Sequence, residues 1–131
     1  MSGIKYLLDT NFIIGLLKQH PDVQAMVVSQ AIQSTQCAYC SVTRMELLGF
    51  HGIAADEIAL IERKLACMTY LALNRHIEDE AIRLKQWRKI KLPDAIIAAT
   101  ALTNHIALLT LDQHLHDVML AALGQAAANQ P

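Results

Sequence analysis

The sequence predicts an α/β fold of three layers, with helices on both faces of a central, mostly parallel sheet of four or five strands. Short aliphatic runs alternate with longer stretches of helical periodicity, which is typical of parallel strands joined by helical crossovers. The chain has 131 residues, 53% of them hydrophobic, which suffices for one core. No repeat or low-complexity linker divides it, so we expect one domain over residues 1–131, ending in a disordered tail from about residue 122.

In the first half of the chain, aliphatic runs predict strands at residues 4–8 and 37–40. Pro21 suits the first turn of a helix, and Ser41 can cap another. Gly49 and Gly52 favour a helix end near Phe50. The predicted helices of this half cover residues 12–18, 21–33, 41–50 and 55–66.

In the second half, residues 68–73 and 106–109 predict the third and fourth strands. Asn74 can cap a long helix that continues to about Lys89. Pro93 interrupts the helical pattern and starts the next helix, over residues 94–104. The Ala- and Leu-rich stretch from Val118 predicts a helix that loses order toward the end of the chain, in preference to a fifth strand.

Composition excludes several classes of protein. A charged fraction of 18% and a mean hydropathy of +0.28 exclude intrinsic disorder. No apolar stretch approaches the roughly 18–20 residues that span a bilayer, and the amino terminus reaches Asp9 too soon for a signal peptide. We therefore expect no membrane association. With 11 Lys+Arg against 12 Asp+Glu, the chain has no overall positive field that would hold nucleic acid.

Cysteine usage indicates a cytoplasmic protein. Three cysteines make no disulfide framework. Cys37 and Cys40 have redox or zinc spacing, but no second pair completes a zinc site. His114 and His116 are too isolated to form a metal pair. We interpret all three cysteines as small buried hydrophobic residues in a reducing compartment.

Four acidic residues stand at the ends of predicted elements. Asp9 and Asp112 follow strands, whereas Glu46 and Asp94 lie in the first turns of helices. Each has a structural explanation as a helix cap, a capping-box partner or an acid at a positive helix end. Together they suggest more, because strand carboxyl ends and helix amino ends meet at one edge of a parallel sheet, where ligands bind.

The neighbours of Glu46 add a second indication. Met45, Leu47 and Leu48 are apolar, and a carboxylate buried among them would be costly unless it were paired or bound to a cation. Clustered carboxylates also repel one another, which a divalent cation relieves. Oxygen ligands suit Mg²⁺ or Mn²⁺ better than zinc.

Four ordered motifs make the chain similar to PIN-domain ribonucleases, and in length and motifs to the VapC-like toxins of bacterial type II toxin–antitoxin systems. They are LLDTN at 7–11, SVTRMELLG at 41–49, DAIIAATA at 94–101 and LTLD at 109–112, within a similarity that covers about residues 4–116. The family often carries a second acid and an aromatic residue after the fourth motif, where this chain has His114 and Leu115. The family's final strand is also hard to find in residues 117–123.

The resemblance implies a PIN-like fold and a metal-dependent endoribonuclease that hydrolyses RNA phosphodiester bonds with Mg²⁺ or Mn²⁺. We expect Asp9 and Asp94 to be direct or near-direct ligands, because the reaction needs charge neutralisation at the phosphate. Glu46 is expected to bind a second ion or orient the attacking water, and Asp112 to hold a water beside the ion. The resemblance implies supporting hydrogen bonds, which we expect to run from Asn11 to a carboxylate and from the Thr110 hydroxyl to a carboxylate or phosphate, unless Thr110 is only structural.

A basic segment precedes Asp94. Its cations are either a solvated helix end or a flank that contacts RNA phosphates, and Trp87 either packs or stacks on a base. Arg44 is expected to contact RNA or to pair with an acid. The candidate RNA-binding residues are Arg44, Arg83, Lys85, Trp87, Arg88, Lys89 and Lys91.

Besides RNA, the expected partners are a cognate antitoxin, whose basic side chain would enter the acidic crevice, and a second copy of the chain. Val23, Val27 and Ile32 are candidates for this contact, and core packing explains them equally well. A catalytically inactive scaffold remains an alternative. A phosphotransfer domain is a weaker one, because Asn11 stands where a second Asp would be needed.

Overall fold

The computed structural model describes residues 3–128 of the chain. Four short strands form one sheet, and seven α-helices surround it within the described residues. The strands are β1 (Tyr6–Leu8), β2 (Cys37–Cys40), β3 (Thr69–Leu71) and β4 (Ala107–Leu109). The helices are α1 (Thr10–Leu17), α2 (Pro21–Ser29), α3 (Ser41–Leu48), α4 (Ala55–Ala66), α5 (Arg75–Trp87), α6 (Leu92–Thr103) and α7 (Gln113–Ala128), with a 3₁₀ turn at Ser34–Gln36.

All strand pairs are parallel, and the strand order is β3-β2-β1-β4. Tyr6 of β1 stands opposite Cys37 of β2 on one side and Ala107 of β4 on the other. The sheet therefore extends from β1 through β2 to β3, and β4 then pairs with the other side of β1. Such a reversal opens a crevice at the carboxyl ends of β1 and β4.

Side chains alternate across the sheet and divide the interior into two clusters. Leu8 and Tyr39 pack with Phe12, Ile13 and their neighbours on the face that α1 and α2 cover, together with residues of α3 and α4. On the opposite face, the strand residues pack with α5, α6 and α7; this cluster includes Leu7, Ala38, Cys40, Ile77, Leu84, Ala98 and Leu115. The expected three-layer α/β/α architecture is confirmed.

Helix α6 is buried over most of its length. Ala95, Ala98, Ala99 and Ala101 have no exposed surface, and their short side chains let α6 approach the sheet and its neighbouring helices closely. Its amino-terminal turn carries Asp94. The packing of an alanine-rich face thus places an acid at the edge of the sheet.

Several predicted boundaries differ from the structure. Helix α2 ends at Ser29, not near Gln33, because Ala31 adopts a positive φ of 51° and the Ile32 N–H turns back to the Val27 carbonyl. Helix α5 ends at Trp87 because Arg88 is extended.

Ser41 is not the cap of α3, since Cys40 occupies that position. The Ser41 hydroxyl instead accepts the Leu73 N–H at 3.0 Å and lies 2.9 Å from the Tyr70 hydroxyl, so it ties α3 to the end of β3.

The end of the chain is helical as far as the structure describes it. Residues 117–123 belong to α7, and the fifth strand of the family is not formed among the described residues. The helix continues through Ala128, so the disorder expected from residue 122 does not extend over residues 122–128, and residues 129–131 lie outside the described part. Within residues 3–128 no helix has the length and apolar character needed to cross a membrane.

Two of the three cysteines are buried, as expected. Cys37 and Cys40 belong to the clusters on opposite faces of the sheet, and both are free thiols. Burial raises the pKa of the Cys37 thiol, which disfavours the reactive thiolate. Cys67 is exposed, because it follows the last turn of α4 on the surface, so the expectation of burial is wrong for this residue.

Val23 is wholly buried and therefore part of the core, which excludes it as a candidate for the partner interface. The cause is the close approach of α1 and α2 at Gly15, where a Cβ atom would come within 2.6 Å of a Val23 methyl carbon. Val27 and Ile32 are half-buried and pack against the same cluster.

We expect Gly15→Ala to destabilise the protein, because the new methyl group must push α1 and α2 apart. The cost should be about 1–3 kcal/mol, as for other overpacked sites. Gly124→Ala is the matched control, since its Cβ would meet no atom within 4 Å and alanine favours a helix by about 0.5–1 kcal/mol over glycine. Urea unfolding measures both changes. Equal stability of the two variants would contradict the close packing of α1 on α2.

Candidate active site

Asp9 is the most buried acid of the chain, with 4% of its surface exposed. It follows β1 directly, and its backbone N–H donates to the Leu109 carbonyl of β4 at 3.2 Å. One carboxylate oxygen accepts the Phe12 N–H at 2.8 Å and so caps α1. The other accepts a hydrogen bond from the Thr110 hydroxyl. Asp9 therefore joins a helix start to two strand ends.

Asp112 is exposed and caps α7, since it accepts the Leu115 N–H at 3.0 Å. Its own N–H donates to the Thr110 hydroxyl oxygen, also at 3.0 Å. Thr110 thus stands between two of the acids: it accepts from the backbone of Asp112 and donates to the side chain of Asp9. Asp9 and Asp112 therefore cap helices and also belong to the acid cluster.

Glu46 is exposed, and the expectation that it lies in an apolar environment is wrong. Helix α3 buries Val42, Thr43 and Leu47, whereas Met45 is 60% exposed on the outer side. Nor does Glu46 form a capping box with Thr43. Its carboxylate accepts a hydrogen bond of 2.5 Å from the hydroxyl of Thr10.

The charges of the four acids act on one another. Burial is the main cause that raises the pKa of Asp9; repulsion from Asp112 and Asp94 adds to it, and the hydrogen bonds from Thr110 and Phe12 oppose it. Burial likewise raises the pKa of Asp94, with repulsion from Asp112 and Glu46, against the opposing charges of Lys91 and His114. Asp94, half-buried in the first turn of α6, therefore feels both exposed acids.

The donor set of this site consists of carboxylate and hydroxyl oxygens, which suit a hard divalent cation. Within residues 3–128, no three Asp, Glu, His or Cys side chains form a ready-made metal cage. Mg²⁺ does not require one, because it commonly takes one or two carboxylates and keeps several waters. Asp9 and Asp94, whose ionised forms are disfavoured, are the carboxylates that a cation would relieve most.

The sequence model of the PIN domain family matches residues 6–119. The chain belongs to the PIN domain family. Comparison with the curated proteins returned no match.

Solved structures agree with this assignment. This PIN domain shares 28% identity with a toxin–antitoxin complex from Klebsiella pneumoniae over 82% of this chain and 87% of that one, with a TM-score of 0.67. It shares 28% identity with VapBC-1 from nontypeable Haemophilus influenzae over 90% and 94% of the two chains, with a TM-score of 0.71. FitAcB from Neisseria gonorrhoeae, at 20% identity, has the same fold over 87% and 92% of the two chains, with a TM-score of 0.70.

Thr10 makes a polar contact at the site that the sequence did not predict. Asn11, the predicted support, is exposed in this PIN domain, and the side-chain hydrogen bonds to Glu46 and Asp9 among the described residues come from Thr10 and Thr110. The sequence contains a weak signal for this role, because a hydroxyl residue directly after Asp9 falls at the first position of α1.

Three cations of the basic segment make contacts within the PIN domain. Arg83 pairs with Glu80 at 3.2 Å, and the Lys85 ammonium donates to the Ile90 carbonyl at 2.8 Å. The Arg88 guanidinium lies 4.4 Å from the centre of the Trp87 ring.

The other candidate cations lie near the acids, either in the sequence or by their electrostatic effect. Lys89 and Lys91 are exposed, and Lys91 is close enough to Asp94 to lower its pKa. Arg44 is exposed on α3, two residues before Glu46.

The raised pKa values predict that charge removal at Asp112 stabilises the metal-free protein. Asp9 and Asp94 ionise less readily in the folded chain, so they cost stability as the pH rises through their folded pKa values and cost none below their unfolded values. Asp112→Asn keeps a good cap and removes one repelling charge. We expect it to add about 0.5 kcal/mol at pH 7 in chelator, the size usual for screened charges, and less near pH 4.

Urea unfolding across this pH range measures the effect, with Asp117→Asn as control. Asp117 lies on the same helix and accepts a hydrogen bond from Gln113, outside the acid cluster. A gain for Asp112→Asn that did not grow with pH would contradict the mutual repulsion.

Proposed function

We propose that this PIN domain is a metal-dependent endoribonuclease and the toxin of a toxin–antitoxin pair. The observation that carries the proposal is the meeting of Asp9, Glu46, Asp94 and Asp112, from four separate segments, in one electrostatic field at the sheet edge. The 28% identity with a toxin–antitoxin complex and with VapBC-1 supports the toxin role. Mg²⁺ or Mn²⁺ is the proposed cofactor.

Asp9 and Asp94 are the residues proposed to hold the ion, with Glu46 and Asp112 at its margin. When bound, the cation would neutralise phosphate charge and make water a stronger nucleophile. Thr110 fixes one oxygen of Asp9, and the Phe12 N–H fixes the other, so this carboxylate needs little reorganisation on binding. We assign to Glu46, whose charge acts on Asp94, the role of orienting the attacking water or binding a second ion. We assign to Asp112 the role of holding a water beside the ion.

A buried aspartate is more than a cap requires. Asparagine caps helices as well as aspartate does, and it would avoid the desolvation and repulsion that raise the pKa of Asp9. The presence of the charged residue at this point therefore favours a cation site over the alternative of a catalytically inactive scaffold.

RNA would be held by local charge. Lys91 lies within the field of Asp94, and Lys89 is linked to the site through its carbonyl, which lies 3.0 Å from the His114 ring. We propose these two lysines as the main phosphate contacts. Arg44, on α3 near Glu46, is a further proposed contact. Arg83 pairs with Glu80, Lys85 donates to the Ile90 carbonyl, and Arg88 lies against the Trp87 ring, so we assign these three cations no main RNA contact. A base stacked on Trp87 would lie beside Arg88.

We propose a cognate antitoxin and a second copy of the chain as protein partners in the cytoplasm. Met45 and Phe50, exposed at 60% and 69%, offer apolar surface on the same helix as Glu46 and just after it. A basic side chain from the antitoxin would be attracted by the acids in the same way as a cation.

Asp9→Asn tests the proposed activity directly. The purified protein should cleave RNA with Mg²⁺ or Mn²⁺ and stop in chelator, and Asp9→Asn should lower the rate at least about 100-fold while remaining folded, as expected for the loss of a ligand worth several kcal/mol. Asp117→Asn should retain the wild-type rate. RNA binding without cleavage in either metal would favour the scaffold, and cleavage in chelator would refute the metal-dependent reaction.

Lysine substitutions test the proposed RNA contacts. Lys91→Gln should raise KM for RNA about three- to fivefold, leave kcat within about twofold, and reduce the salt dependence of binding, because it removes one phosphate contact. Arg83→Gln is the control, since Arg83 is paired with Glu80 and should change KM little. A larger effect of Arg83→Gln than of Lys91→Gln would show that RNA follows α5 instead.

A further inference from the structure

The Thr10 hydroxyl occupies a position between two segments that are far apart in sequence. It lies 2.5 Å from the Glu46 carboxylate and 3.2 Å from the Thr43 hydroxyl. Thr43 in turn lies 3.7 Å from the Cys40 sulfur. Thr43 has no exposed surface, whereas Glu46 is exposed. A line of polar groups therefore runs from the core at the end of β2 to the acid at the surface.

The number of hydroxyl protons determines which group donates in each of these hydrogen bonds. A threonine hydroxyl has one proton and can also accept. The Thr10 proton belongs on the shorter contact, to the carboxylate, because a charge-assisted hydrogen bond is the stronger one. Thr43 then donates to Thr10, and the Cys40 thiol can donate to Thr43. Each donation polarises the next group, so the bond that reaches Glu46 is strengthened from the interior.

Among residues 3–128, the hydrogen bond from Thr10 is the contact that holds the Glu46 side chain. An exposed glutamate samples several rotamers, and ordering it costs conformational entropy. Thr10 is the first residue of α1, directly after the buried Asp9, so its backbone is fixed by the same helix start. The contact therefore ties the exposed Glu46 to the residue that follows the buried Asp9.

We infer that Thr10, supported by Thr43, is a positioning residue that holds the Glu46 carboxylate toward the acid cluster. The inference deepens the proposed nuclease function and rests on it for its catalytic consequence. The role expected of Asn11 thus falls to its neighbour. Among residues 3–128, the hydroxyl of Thr10 contacts Glu46 and Thr43 and not the proposed cation ligands Asp9 and Asp94.

Activity measurements with Mn²⁺ form the first arm of the test. Thr10→Val keeps the shape and removes the hydroxyl, and it should lower kcat about tenfold with KM within about twofold, the size expected for one charge-assisted hydrogen bond. Thr10→Ser should restore kcat to within about twofold of the wild type. Thr103→Val, the same change at a half-buried threonine on α6, should have no effect on kcat. Equal losses in Thr10→Val and Thr10→Ser would overturn the inference, as would a loss in Asn11→Ala with none in Thr10→Val.

A double-mutant cycle in chelator forms the second arm, because it reads the contact without metal or RNA. Thr10→Val and Glu46→Ala are combined, and the unfolding equilibrium constant is measured for all four proteins. We expect the effects to be non-additive by about threefold or more. Additive effects would overturn the inference. Coupling in this arm with no RNA cleavage by the wild type would refute the proposed function and leave Thr10 as the residue that holds Glu46.

Discussion

The buried carboxylate of Asp9 is the constraint on which this end of the molecule depends. One oxygen starts α1 and the other receives Thr110, while the backbone extends the contact of β1 with β4. Removing a charge from water is expensive, and two hydrogen bonds only partly compensate, since the pKa of Asp9 stays above its ordinary value. The protein keeps a carboxylate that folding disfavours, in a place where Asp112 and Asp94 repel it. Bound positive charge would relieve this cost, which is the physical basis of the proposed cation site.

Much of this arrangement could be predicted from the sequence, because it follows from periodicity and topology. Alternating strands and helices require the three layers, and Asp9 and Asp112 lie at strand ends that must share one edge in any parallel sheet. The strand order β3-β2-β1-β4 could not be predicted, since nothing local specifies which strands pair. The carboxyl-end crevice between β1 and β4 is a consequence of that order.

The errors have physical causes as well. Apolar neighbours in sequence do not show which side of α3 is buried, so they predict a buried Glu46, whereas Glu46 and Met45 are both exposed. The Thr10–Glu46 contact joins residues 36 positions apart, and only the packing of α1 against α3 creates it. Nor does the sequence show the partners within the basic segment, where Glu80, the Ile90 carbonyl and the Trp87 ring each contact one of its cations. A net charge of −1 therefore conceals a local cluster of acids around Asp94.

Calorimetric titration of the protein with Mn²⁺ tests the central claim, that the acids form one cation site, most directly. The account predicts saturable binding that releases protons, because Asp9 and Asp94 hold theirs more tightly than ordinary carboxylates. Proton release, obtained from buffers of different ionisation enthalpy, should increase as the pH falls from 7, and Asp94→Asn should weaken binding at least about tenfold. Mn²⁺ binding of wild-type strength in Asp94→Asn, or the absence of binding to the wild type, would contradict the account.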